Sequence, residues 1–83
     1  MASFSHHPLA DGVVTVWHDV DGWGVISSPD VPGEVWVHFS RIVTDSHPEL
    51  TVGEVVRFSW EEFPQDDFRF RAVQVFREPR TAK

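Results

Sequence analysis

The 83 residues include no cysteine, which excludes a disulfide framework, a thiolate metal site and a cysteine nucleophile. Apolar runs are short: nothing approaches the roughly 18 consecutive apolar residues of a membrane-spanning helix. The first ten residues, MASFSHHPLA, hold neither Lys nor Arg and form no signal peptide. A cytoplasmic protein without a membrane partner is the expectation. Basic residues are scarce as well, seven against thirteen acidic ones for a net charge of −6. None occurs in the first forty residues; Arg41, Arg57, Arg69, Arg71, Arg77, Arg80 and Lys83 all follow. Such a balance argues against tight, charge-driven binding of nucleic acid. His6 and His7 beside Pro8 lack further ligands at metal-site spacing. There is no phosphate loop and no nucleophile with an evident base, and Glu61, Glu62, Asp66 and Asp67 read as a solvated turn. Neither an enzyme, a cofactor nor a bound metal is expected.

What the chain does have is aromatic bulk, four Trp and seven Phe within 41% apolar residues, enough for one compact domain. Five runs rich in Val, Ile, Phe and Trp, at 12–18, 23–28, 34–39, 54–62 and 68–76, lie between turn-forming clusters and read as strands. The clusters are DVDG at 19–22, SPDVPG at 28–33, TDSHPELTVG within a connection from 40 to 53, and PQDD at 64–67. Sustained helical periodicity is absent, and PELTVGE is left between loop and one short helical turn. Residues 1–10 and 78–83 read as flexible tails around a single domain over 11–77.

Five short strands with no covering helix bury a face by curling into a barrel, so the fold class is all-β. Val56, Phe58 and Trp60 alternate with Arg57, Ser59 and Glu61, which turns the first set inward. Gly24 and Ile26 alternate with Trp23 and Val25, and Val35 and Val37 with Trp36 and His38. The small aliphatic residues suit a tight interior, which leaves Trp23, Val25, Trp36 and His38 facing outward on adjacent strands. Trp17 is undecided, because VVTVW is apolar on both faces, as in a strand bent by a bulge. Phe68, Phe70, Ala72, Gln74 and Phe76 alternate with Arg69, Arg71, Val73, Val75 and Arg77, and neither set is cleanly apolar.

DGWGVI (Asp21 to Ile26) and VWVHF (Val35 to Phe39) resemble the paired ribonucleoprotein-type motifs of the cold-shock domain family, Lys-Gly-Phe-Gly-Phe-Ile and Val-Phe-Val-His-Phe. GVVTVWH (Gly12 to His18) is similar to the family's Gly-Thr-Val-Lys-Trp-Phe-Asn, and FSRI at 39–42 and LTVGEVVRF at 50–58 extend the likeness over residues 12–76. The resemblance implies a five-stranded antiparallel barrel of the oligonucleotide/oligosaccharide-binding (OB) type. It also implies single-stranded RNA or DNA as the partner, held on an aromatic platform without catalysis, in an RNA chaperone or a regulator of expression. Carried over position by position, the platform is Trp17, Trp23, Val25, Trp36, His38 and Phe39, with His47 in the long connection and Phe68 near the fifth strand.

The sequence departs from the family pattern at Thr15 and Asp21, where lysines stand, at Val16, where tryptophan stands, and at Val25, where phenylalanine stands. Trp17, Trp23 and Trp36 replace phenylalanines and offer larger stacking surfaces. Any base stacks on an aromatic ring at about 1–3 kcal/mol, with little sequence preference. Stacking is therefore expected to carry binding at micromolar affinity, with a shallow salt dependence. Arg57, Arg69 and Arg71 are the candidates for backbone contacts. An aromatic patch without lysines equally suits a protein partner or a weak homodimer, so the alternative to a nucleic-acid-binding monomer is a protein-binding or self-associating module.

Overall fold

The computed structural model describes residues 7–44, 48–65 and 68–77. Six strands occur among them: β1 (Leu9–His18), β2 (Trp23–Ser27), β3 (Val35–His38), β4 (Ile42–Val43), β5 (Val55–Gln65) and β6 (Phe68–Arg77). A 3₁₀ turn over Phe39–Arg41 joins β3 to β4. The two-residue β4 and this turn lie in what reads from sequence as plain connection, and PELTVGE forms no helical turn. β1 begins two residues inside the expected N-terminal tail: Leu9 pairs with Ser59, Ala10 with Phe58, and Ala10 is only 4% exposed. Residues 1–6 and 78–83, the remainder of the expected tails, lie outside the described residues.

The strands pair in the order β3-β2-β1-β5-β6, and β3 returns to β6 to close a five-stranded barrel. Four seams are antiparallel and the β3–β6 seam is parallel. An odd number of strands cannot alternate direction around a full circle, so one seam must be parallel. β4 continues along β6 beyond β3, with Ile42 opposite Val75. Closure buries Val14, Ile26, Val35, Val37, Val56, Phe58 and Val75 completely. Trp60 packs on this core as its alternation predicts, edge-to-face with Phe70 at 5.4 Å.

Two bulges decide which faces point inward. In β1, Val14 lies opposite Ile26 and Val16 opposite Val25, so Thr15 is the extra residue; its hydroxyl donates to the Val25 carbonyl at 3.4 Å. Parity reverses across it, and both Val14 and Trp17 face the interior. In β6, Gln74 lies opposite Ser59 and Ala72 opposite Trp60, which makes Val73 the extra residue. Phe70 and Ala72 are inward before it and Val75 after it, the reason no period of two runs through that strand.

The glycines of DGWGVI answer to this geometry. Gly22 has φ +74° in the β1–β2 turn, the left-handed region that glycine enters without penalty. Gly24 lies opposite Trp17 on the interior side, and a Cβ there would fall 2.5 Å from Trp17 Cε3. The bare backbone at 24 is what lets the Trp17 indole lie against the core.

Candidate functional site

With Gly24 and Ile26 turned inward, Trp23 and Val25 face outward from β2, and Trp36 and His38 do so from β3. The β2–β3 register places Trp23 beside His38 and Val25 beside Trp36. β1 adds His18 in register with Trp23. The rings form one continuous strip. The His18 and Trp23 centroids are 4.3 Å apart, Trp23 and Trp36 6.5 Å, Trp36 and His38 5.8 Å, and His38 and Phe39 4.6 Å. Phe68, at the start of β6, stands edge-on to Trp23 at 6.2 Å. Trp36 lies within 31° of the Trp23 plane and 29° of the His38 plane, so the centre of the strip offers similarly oriented flat faces. Trp23, Trp36, His38 and Phe68 are half-buried, and Phe39 is 39% exposed.

Local hydrogen bonds fix the end of the strip. The Ser40 main-chain N–H donates to His38 Nδ1 at 3.2 Å, and Ser40 Oγ lies 2.8 Å from the same nitrogen. Accepting there leaves the neutral ring's proton on Nε2. The Phe39 N–H donates to the Gly22 carbonyl at 2.9 Å, tying the 3₁₀ turn to the glycine turn between β1 and β2. Ring positions are thus set by strand pairing at one end and by two linked turns at the other.

Two of the carried-over residues do not join the strip. Trp17 faces inward because of the Thr15 bulge, packs against the core, and its buried Nε1–H finds no acceptor among the described residues. Val25 is on the outer face by parity, yet it is 4% exposed between Val16 and Trp36 and offers no surface to a ligand. A valine reaches less far from the sheet than an indole, so it lies below the flanking rings. His47 falls outside the described residues. His18 is the ring that sequence reasoning missed. Its signal was the alternation after the bulge: once Trp17 is inward, His18 must be outward.

The charges around the strip are largely paired among themselves. Arg57 is bound to Asp11 at 2.9 Å, Arg69 to Glu62 at 2.8 Å, Arg71 to Glu61 at 2.5 Å and Arg77 to Glu54 at 2.6 Å. Arg57 also stands away from the rings, in register with Phe76, whereas Trp36 is in register with Arg71. The hydrogen bond from Arg57 holds the exposed Asp11 carboxyl below its usual range, against the opposing effect of desolvation and with the help of the guanidinium charge. Arg71 additionally lies over the Phe63 ring, 3.7 Å from its centroid. Among the described residues no three His, Asp or Glu side chains cluster as metal ligands.

Comparison with known proteins agrees with the barrel fold. The chain is similar in fold to a solved structure of Drosophila Unr CSD456, with a TM-score of 0.68 and 16% identity over 93% of this chain. It spans 29% of that chain's length. No curated protein sequence matches it. The profile of the 'Cold-shock' DNA-binding domain matches residues 10–77, the barrel from the second residue of β1 to the end of β6. The chain belongs to the cold-shock DNA-binding domain family, a nucleic-acid-binding and non-enzymatic family.

Proposed function

We propose that the protein binds single-stranded RNA or DNA by stacking unpaired bases along the strip formed by Trp23, Trp36, His38, Phe39 and Phe68, with His18 at its edge. The observation that carries this reading is the unbroken row of half-buried and exposed rings across three adjacent strands and the turn that follows. Nucleobases expose flat apolar faces once unpaired, and a row of rings accepts successive ones whatever their identity. Duplex bases hide those faces, so the same surface discriminates against paired strands. Holding strands unpaired is the physical basis of a role as RNA chaperone or regulator of expression.

Charge contributes little, because four of the five described arginines are neutralised by carboxylates of the same chain. Binding in the micromolar range follows from about three to four stacks less the cost of ordering a flexible strand. Titration of the protein with heptamers of dT and U tests the reading through tryptophan emission. Saturable quenching with single strands, and none with the matching duplex, is the expected result. Emission unchanged by either strand would overturn it.

The acidic net charge of −6 favours a second reading, in which the same strip docks a protein or a second copy of this chain. Sedimentation of the protein alone over a wide concentration range separates the two. A mass that rises with concentration, and is held at the monomer value by Trp36→Ala, supports self-association.

A further inference from the structure

β3 and β4 lie on the same edge of β6, but not continuously. Trp36 is in register with Arg71, then the chain leaves that edge through the 3₁₀ turn and rejoins it where Ile42 meets Val75. On the other side of this gap is the Val73 bulge. The two irregularities open a notch of about 240 Å³ lined by Trp36, His38, Ser40, Arg41, Arg71 and Ala72. Its floor carries Ala72, among the smallest side chains of β6, and one wall is the aromatic strip itself. Two guanidinium groups border it. Arg41 ends the 3₁₀ turn, is exposed, and has no carboxylate partner among the described residues. Arg71 is held by Glu61 at 2.5 Å, and Glu61 also stands 3.8 Å from the His7 ring.

From this arrangement we infer that the notch is a phosphate-binding subsite for a strand lying on the strip, with Arg41 as its standing cation and Glu61 as a built-in competitor for Arg71. The inference rests on the proposed stacking function and adds a polar anchor to it. A base stacked on Trp36 places its sugar-phosphate within reach of the adjoining wall. Arginine presents its donors in a planar fork that matches phosphate oxygens. Glu61 offers Arg71 a carboxylate of the same geometry, so an incoming phosphate must displace a bound anion of this chain before it gains the second cation. The site is therefore half armed: one arginine available, one withheld.

Anisotropy of a labelled dT heptamer, measured from about 50 to about 200 mM salt, tests the assignment. Arg41→Gln is expected to weaken binding about 5-fold at the low end and to reduce the log–log salt slope by about 0.7, the loss of one phosphate contact on a single strand. Quenching at saturation should stay at the wild-type level, since the rings are untouched. Glu61→Gln is expected to tighten binding and steepen the slope, because Arg71 is released. Arg57→Gln makes the same change of charge away from the notch and should leave the slope unaltered. An Arg41→Gln protein with wild-type affinity and slope overturns the subsite while the stacking function stands. A wild-type protein that neither quenches nor binds any oligonucleotide overturns both. Competition by excess inorganic phosphate at constant ionic strength checks the chemistry of the site: weakening of the wild-type protein's oligonucleotide binding beyond that of Arg41→Gln supports a phosphate-binding notch, and equal effects on the two proteins overturn it.

Discussion

Replacing Trp36 by leucine and by phenylalanine separates a flat ring from mere apolar bulk. Trp36 is the centre of the strip, inclined by 31° to Trp23 and 29° to His38, and therefore the best-placed ring for a base. One base stack is worth about 1–3 kcal/mol, so losing it at leucine should raise Kd by about 5- to 150-fold, with about 30-fold at the midpoint. Phenylalanine keeps a π-face and should stay within about 3-fold of wild type. The folding cost is smaller. An indole buries about 150–250 Å² when fully packed, and Trp36 is half-buried. If leucine gives up about 50 Å² of that cover, the loss is about 1 kcal/mol at about 25 cal/mol per Å². A domain of this size then melts about 4–8 °C lower and remains folded. Anisotropy of a labelled oligonucleotide reads the affinity independently of the tryptophan being changed, and circular dichroism verifies folding. A folded leucine variant that binds within 2-fold of wild type would refute stacking on Trp36. So would a phenylalanine variant that loses as much affinity as leucine, since the determinant would then be the indole N–H or its size.

Trp17→Phe removes a buried N–H that has no acceptor among the described residues, which offsets the lost packing, so stability should change by less than about 1 kcal/mol and oligonucleotide affinity by less than about 2-fold. A large loss of affinity would return Trp17 to the binding surface. Gly24→Ala places a Cβ 2.5 Å from Trp17 Cε3 and against the Val16 main chain, and should cost about 2–3 kcal/mol, seen as a fall in Tm of about 10 °C or more. A Tm within 2 °C of wild type would contradict the inward placement of Trp17. Asp11→Asn removes a carboxyl whose native pKa is lowered by Arg57. A depressed native pKa contributes stability above the unfolded value, near the ordinary 3.8, and that contribution is lost as pH falls through the lower native value. The variant should thus melt slightly below wild type at neutral pH and coincide with it in strong acid, and a difference in Tm that grows on acidification would be the wrong sign.

Much of the architecture was legible because its signals are local. The clusters DVDG, SPDVPG and PQDD interrupt apolar runs whose alternation fixed the faces of β2, β3 and the first part of β5. Trp23, Trp36 and His38 were accordingly read as outward and Trp60 as core. Where alternation breaks, the sequence lost its meaning. Thr15 and Val73 are extra residues opposite partner strands, and an extra residue is defined only by what lies across the ladder. Trp17 and the faces of β6 were unreadable for that reason, and His18 was overlooked with them. Val25 illustrates a second limit, since parity gives the direction of a side chain but not the height of its neighbours.

The binding chemistry divides in the same way. Composition and order alone determined an all-β chain, rings concentrated in two adjacent motifs, and a deficit of cations. Tertiary structure decided which arginines are available, because Glu61 and Arg71 lie ten positions apart and Asp11 and Arg57 forty-six, and only strand pairing brings them together. It also decided that Arg41, which has no carboxylate partner among the described residues, borders a notch beside Trp36. Patterns of period two are carried by consecutive residues and survive in sequence. Bulges, charge pairing and clefts are properties of residues distant in the chain, and they come into existence only when the barrel closes.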